Sequence, residues 1–488
     1  MRRSEAFSHL NLFVFGLTII VCAAWFNVGY HHPDEHFQIL EPAAFKLGKG
    51  SEVDLPWELH ERIRPGLQPL MAYGMVRALD VTGLYDPFWQ AFILRLISGV
   101  AAFSLYYQYS KRHIITFSRQ ESTRWLVIAI CFLWFVPYVS SRFSSENWGA
   151  ISFFLGVLIL LRQNSKAFHL TIAGLLFGLS FWFRFQMGFA LLGLAAWLLF
   201  ARKMPFSGLL WLASGGMIAM FIGIYADFWL YGDFVITPIN YFIANITNNR
   251  AAEWGVAPWW YYFSEYLISA APPLSVALAL LAVPGFWALR KNVLAWVFVP
   301  FCLVHMAVGH KELRFLFPMV LPYLIFVVNG AGIFVDKFAL KRWHRLVLGL
   351  CLVVNTGLLT FRIFAPAHDA VLYLRFLHKY ARDNNKPVLL VSEKDDPFVQ
   401  VGMCMNFYKP KNINTLILKD LEFTESEITG SSPKEFLVFH QKAGLDLQVR
   451  GYKKTRLYSL FPDWFSHINF NNWLERSNIS SVWLFKRE

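Results

Sequence analysis

Three histidines, a proline and two adjacent carboxylates stand together in His31-His32-Pro33-Asp34-Glu35-His36-Phe37-Gln38, directly after an apolar run. Charges where a hydrophobic segment ends either decorate a hydrated helix end or mark chemistry at a membrane surface. Four more polar clusters interrupt the apolar sequence: Arg142-Phe143-Ser144-Ser145-Glu146; Arg184 in Trp182-Phe183-Arg184-Phe185-Gln186; Tyr231 to Tyr241, running on to Pro258-Trp259-Trp260-Tyr261; and His310-Lys311-Glu312-Leu313-Arg314-Phe315. Each has a plain reading. Ser with a nearby Glu caps a helix, a lone Arg anchors a lipid headgroup, and aromatics line an interface. Two cations in the short loop from His310 to Arg314 call for an anionic ligand. A phosphate-linked lipid bearing a sugar would use all five clusters. A carboxylate takes a proton from an acceptor hydroxyl, cations stabilise charge on a departing phosphate, and aromatics stack on sugar rings. No Asp-x-Asp pair is present, which weakens any scheme in which a divalent metal holds a nucleotide diphosphate.

The elements that must position these residues are membrane spans. Of 488 residues, 56% are hydrophobic and only 16% are charged, where a soluble domain has about a quarter charged. Repeated apolar runs near 20 residues match the hydrocarbon thickness of a bilayer. About eleven spans are expected, with cores near 10–29, 89–108, 124–140, 148–162, 168–183, 186–201, 207–229, 264–289, 293–309, 315–335 and 346–365. The five cysteines show neither paired nor metal-like spacing, so neither a disulfide framework nor a metal site is expected. The net charge of +13 suits anionic lipids or a phosphate-bearing substrate. Nucleic-acid binding is not expected, because the basic residues fall in short clusters between apolar runs.

Those clusters fix orientation. Arg2 and Arg3, Lys111 to Arg124, Arg162 and Lys166, Arg202 and Lys203, Arg290 and Lys291, and Lys337 to Arg345 fall on one side, which the positive-inside tendency makes cytoplasmic. All five polar clusters then fall on the outer side. The first outer loop, 30–88, begins with a short helix expected to lie flat on the membrane, Pro33 starting it and Asp34, Gln38 and Glu41 sharing one face. A second amphipathic stretch near 66–80 returns to the membrane. After residue 366 short β-prone runs (388–391, 415–418, 436–440, 482–486) follow a helical stretch near 368–383, giving a small α/β domain on the outer face. The domains expected are therefore 1–365 and 366–488. The triplets at Asn245 and Asn478 are weak glycosylation signals.

His32-Pro33-Asp34-Glu35-His36-Phe37-Gln38, with Glu41 downstream, resembles the first-loop motif of the Alg9-like mannosyltransferases, glycosyltransferase family 22, and their GPI mannosyltransferase III branch in particular. Trp57-Glu58 with Arg62-Ile63-Arg64, the segment from Arg142 to Glu146, Tyr231-Gly232, Thr237-Pro238-Ile239-Asn240, Asn245, Pro258-Trp259-x-Tyr261 and His310-Lys311-Glu312-x-Arg314-Phe315 with Pro318 and Pro322 are similar to its further motifs, in the same order. The resemblance implies an all-α polytopic membrane protein of the GT-C glycosyltransferase fold. It also implies a polyprenyl- or dolichyl-phosphate-mannose donor, a glycan or glycolipid acceptor, inversion to an α-mannoside, and no metal or other cofactor. Asp34 carries over as the base, with Glu35 as its partner or substitute. His310, Lys311, Arg314 and Arg184 carry over as donor-phosphate contacts. His32, Gln38, Glu41, Trp57, Arg62, Arg64, Arg142, Glu146, Tyr231, Asn240, Trp259 and Tyr261 carry over as donor or acceptor contacts. Arg184-Phe185-Gln186 departs from the family's frequent Arg-Pro. A bacterial inner membrane with a periplasmic site is favoured, or an endoplasmic-reticulum membrane with a lumenal site in a eukaryote. The alternatives are a transporter of lipids or lipid-linked sugars, and a GT-C enzyme that moves another sugar.

Overall fold

The computed structural model describes residues 3–111, 121–163, 165–338, 341–384, 386–418, 433–477 and 479–488. Arg2, Arg112, Arg119 and Asn478 lie outside them, as does the side chain of Arg3. The described chain divides into two compact units. One comprises residues 1–27, 57–82 and 91–365, the other 28–56, 83–90 and 366–488. The first outer loop, expected to belong wholly to the membrane domain, is therefore split: its segment with Asp34 and Glu35 is built into the unit that holds the C-terminal domain.

The first unit is helical. Among the described residues, four helices are long and apolar enough to cross a membrane, Pro87–Lys111, Phe206–Tyr231, Leu313–Lys337 and Arg342–Phe364. Seven shorter apolar helices, Leu10–Phe26, Ser122–Phe132, Ser145–Leu160, Ala167–Phe183, Met187–Ala201, Leu274–Ala288 and Val293–Ala307, lie on the other apolar runs. Eleven full spans are thus more than length and hydropathy support. Two runs expected as single spans are broken. That at 124–140 ends one helix at Phe132 and restarts at Phe135, and that at 264–289 is interrupted between Ser269 and Leu274 around Pro272-Pro273, where proline nitrogens cannot donate to a helix ladder. Between Phe206–Tyr231 and Ala167–Phe183 the contact is a row of small residues, Gly215, Ala219 and Gly223 at every fourth position. A Cβ on Gly215 would strike the Thr171 carbonyl, so the two backbones approach as only small residues allow. The apolar core beneath is rich in Phe, with Phe103, Phe153, Phe154, Phe301 and Phe326 almost wholly buried.

The second unit carries a mixed sheet and a long helix, Ala370–Asn384. Strands are numbered β1 (Val388–Glu393), β2 (Val399–Gln400), β3 (Met403–Cys404), β4 (Ile413–Leu418), β5 (Glu435–His440), β6 (Tyr452–Ser459) and β7 (Ser481–Arg487). The main sheet runs β4-β1-β5-β7-β6, parallel across its first three strands and antiparallel thereafter. β2 and β3 form a separate hairpin. All four expected strands are present. β6 was missed because its alternation is polar on one side, with Lys453 and Lys454 breaking the apolar pattern.

Candidate active site

Pro33 sits at the first helical position, where its lost N–H is no cost. His32 caps the helix, its Nδ1 accepting the Asp34 N–H at 3.3 Å. From Pro33 the chain stays helical to Lys46, but residues His36–Leu40 form a π turn. That extra residue rotates everything after it by about 100° relative to a regular helix. Asp34, Gln38 and Glu41 consequently do not share a face. Asp34 and Gln38 are partly exposed, whereas Glu41 is buried. The π turn brings His36 and Glu41, five residues apart, into a 2.6 Å contact. The helix does not lie flat with one wet side either, since Phe37, Ala43 and Ala44 are all but inaccessible along with Glu41.

The acidic pair is differentiated. Glu35 is buried and turns back on its own helix start, accepting the His31 N–H at 3.2 Å. The Asp34 carboxylate keeps 21% of its surface and lies 3.3 Å from His32 Nδ1. It stands in the first helical turn, where a negative charge is favoured. Of the two, Asp34 is the more exposed carboxylate.

Within the first unit, the cations of two expected clusters meet. Ser144 caps helix Ser145–Leu160, accepting the Asn147 N–H at 3.3 Å, and sets Glu146 in its first turn. Glu146 Oε1 lies 3.0 Å from both Arg184 and Arg314. Glu312 grips Arg314 through two bonds of 2.5 and 3.0 Å and takes His310 Nε2 at 3.0 Å. Arg184 also donates to the Ser145 hydroxyl at 3.1 Å. Both guanidiniums lie over Phe315, 5.0 and 5.2 Å from its centroid. His310 donates from its other nitrogen to the Gly255 carbonyl at 2.9 Å. Its bond to Glu312 holds the imidazolium above the ordinary His range despite burial. Counting His310 as charged, three cations meet two carboxylates here, leaving a positive excess.

Lys311 does not fit the role expected of it. Its ammonium donates to the carbonyls of Ala257 (2.8 Å), Gly309 (3.4 Å) and Val308. An ammonium has three donors, so the three carbonyls occupy it. Burial lowers its pKa. Lys311 ties the 255–258 segment to the 308–311 loop, together with the Ala257 N–H to Gly309 bond. Arg142 is likewise built into the fold: it is buried and donates to the Asn27 carbonyl at 3.0 Å.

A third group joins residues 57–66 to the loop after Tyr231. Tyr231 donates to the Arg64 carbonyl (2.7 Å), Asn240 to the Arg62 carbonyl (3.1 Å), and Arg62 to Asp233 (2.9 Å). Arg64 pairs with Glu58 at 3.2 Å and lies 5.9 Å from the Tyr241 ring, whose hydroxyl accepts from Gln186 at 2.6 Å. Trp57 stacks parallel to Trp254, centroids 6.5 Å apart. Trp259 is exposed, and Tyr261 is partly buried; that burial, with Glu265 and Glu312 nearby, raises its pKa. The pin of this group is Asp227, inaccessible to solvent, accepting the Gly66 N–H (2.8 Å) and the Thr237 hydroxyl (2.6 Å). Asp227 was missed in the sequence, although a carboxylate inside an apolar run is itself a signal. Glu312 and His36 were also missed as site residues, standing inside quoted motifs without an assigned role.

Among the described residues, no group of three His, Cys, Asp or Glu side chains gathers as a bound metal would need.

These features define a multi-pass membrane glycosyltransferase of GT-C-like fold. Over 98% of both chains it superposes on the crystal structure of ArnT from Cupriavidus metallidurans bound to undecaprenyl phosphate, with a TM-score of 0.54 at 12% identity. Residues 11–405 match the Alg9-like mannosyltransferase family, and the chain belongs to that family, as a mannosyltransferase. It is similar to GPI mannosyltransferase 3 of Yarrowia lipolytica, 28% identical over 73% of this chain and 70% of that one. It is also similar to the Drosophila melanogaster protein of that name, 25% identical over 71% and 60%, and to mouse GPI alpha-1,2-mannosyltransferase 3, 26% identical over 72% and 62%. The match thus spans about 60–70% of these relatives' lengths.

Proposed function

We propose that the protein transfers mannose from a polyprenyl- or dolichyl-phosphate carrier to a hydroxyl of a GPI-type glycolipid, with inversion, giving an α-1,2-mannoside. The acceptor oxygen attacks the anomeric carbon as the bond to the phosphate breaks. The hydroxyl proton passes to Asp34, and the polyprenyl phosphate departs with the bonding electrons. Arg314 and Arg184, with His310, stabilise that phosphate. Trp57, Arg62, Arg64, Tyr231, Asn240, Trp259 and Tyr261 serve sugar recognition. The observation that carries the reading is the partly exposed Asp34 carboxylate at a capped helix start, beside a Glu35 already engaged. The linkage and acceptor follow the names of the relatives, whose eukaryotic sources favour the lumenal alternative for the active side.

The test is incubation of the purified protein in detergent with radiolabelled polyprenyl-phosphate-mannose and a panel of mannose-terminated glycolipids. Support is a labelled glycolipid that α-mannosidase digests, with polyprenyl phosphate released in equal amount. Movement of intact donor across vesicles without turnover would instead indicate a transporter.

A further inference from the structure

The Asp34 helix is held by the C-terminal half of its own unit. Glu41, 2% exposed, accepts three donors: His36 Nε2–H at 2.6 Å and the Phe407 N–H at 3.0 Å on Oε1, and the Asn406 N–H at 3.0 Å on Oε2. The His36 ring stacks on Tyr408, centroids 5.3 Å apart and planes 10° apart, and Tyr408 stacks in turn on Phe88 at 4.6 Å. Downstream of the helix, Lys49 donates to the Phe407 carbonyl and Asn406 to Asp54. Upstream, the Val28 carbonyl accepts the N–H groups of Ala367 (2.9 Å) and His368 (3.2 Å), and Tyr30 stacks on His368 at 4.3 Å. The helix is thus pinned before Pro33 and after Lys46 by residues at least 300 positions later in sequence.

We infer that Glu41 is a positioning residue: by pairing with His36 and gripping the 405–408 turn it sets the rotation of the Asp34 helix, which makes the C-terminal domain part of the catalytic apparatus. The proposal rests on Asp34 being the base. His36 and Glu41 face one another only because of the π turn, since residues five apart point in different directions on an α-helix. Without the pair, the extra residue can relax, turning Asp34 relative to Glu41 by about 100°. Because a misplacement of about 1 Å costs on the order of 100-fold in rate, such a rotation is visible in turnover long before the fold is lost. Glu41→Gln keeps the length of the side chain but turns an amide N–H₂ towards an N–H donor. His36→Phe keeps a ring on Tyr408 but cannot donate, and provides a milder second variant.

Both variants are made in the full chain. The expected result for Glu41→Gln is a kcat reduced about 100-fold with donor KM within about threefold, and for His36→Phe a reduction of about tenfold. Combined with Asp34→Asn, neither lowers the residual rate further, because both act through the same carboxylate. Tyr452→Phe, which removes a bond to the Pro433 carbonyl elsewhere in the same domain, destabilises without changing kcat. In parallel, Asp34→Cys is probed with a thiol reagent and read by mass spectrometry at that position, with and without Glu41→Gln. A labelling rate changed at least tenfold supports the inference even where turnover is not measurable. If wild type transfers no mannose, the functional reading fails. If both Glu41 and His36 variants keep wild-type kcat and Asp34→Cys labels at one rate in both backgrounds, the positioning role is overturned.

Discussion

Glu146→Gln isolates the energetics of the charged cluster. Its carboxylate is 3% exposed and shared between Arg184 and Arg314, themselves 5% and 7% exposed, at 3.0 Å each. After the substitution Arg314 retains Glu312, while Arg184 is left with the Ser145 hydroxyl. One buried guanidinium loses its counter-charge and is left beside a second cation, Arg314. Removing one partner of a buried pair costs about 3–5 kcal/mol, because the survivor stays desolvated. An exposed pair gives the contrast. Arg62 and Asp233 sit at 2.9 Å but are 45% and 63% exposed, so solvent screens the pair and Asp233→Asn is expected to leave the unfolding midpoint close to that of wild type. The assay is denaturant titration in detergent, followed by the fluorescence of the 19 tryptophans. Replacing Arg184 by Met in the Glu146→Gln background should return part of the loss, since the stranded charge is gone. A Glu146→Gln penalty below about 1 kcal/mol, or no recovery with Arg184→Met, would refute the coupling of these three side chains.

Gly66→Ala would drive a Cβ into the Ala226 carbonyl, and is expected to cost about 1–3 kcal/mol as overpacking, measured by the same titration. Asp227→Leu strands the Gly66 N–H and the Thr237 hydroxyl, at about 1–3 kcal/mol, whereas Asp227→Asn keeps an acceptor for Gly66 and should lose less; equal losses would show that hydrogen bonding is not what Asp227 supplies. His310 has a folded pKa raised by Glu312, so its contribution is fully present below its unfolded value, about 6.5, and fades as pH rises through the folded value. Melting temperatures of wild type and His310→Gln should therefore converge at alkaline pH, and a difference that widens with pH would contradict the pairing. Lys311→Met removes three bonds to carbonyls and should lower the melting temperature while leaving donor KM within about twofold; a tenfold rise in KM would return Lys311 to the phosphate.

Apolar run length and the outer-loop clusters made the membrane class, the helix starting at Pro33 and the C-terminal strands legible in the sequence. Ser144 capping Glu146 into place follows from local rules, and the structure has it. What local rules could not supply was partner choice. Glu41 was assigned to the face of Asp34 from a 3.6-residue period that the π turn breaks. Lys311 looked like a phosphate ligand because its carbonyl partners at 257, 308 and 309 come from two chain segments no pattern connects. The division of the first outer loop between two units depends on contacts across more than 300 residues of sequence, which periodicity cannot see.

The central claim, mannosyl transfer with Asp34 as base, is tested most directly by single-turnover transfer from radiolabelled polyprenyl-phosphate-mannose in wild type, Asp34→Asn and Glu35→Gln, each checked for folding and donor binding. The expected result is an α-mannoside product from wild type, loss of at least about a thousandfold in Asp34→Asn with donor binding retained, and a much smaller loss in Glu35→Gln. Undiminished transfer by a folded Asp34→Asn protein would contradict it.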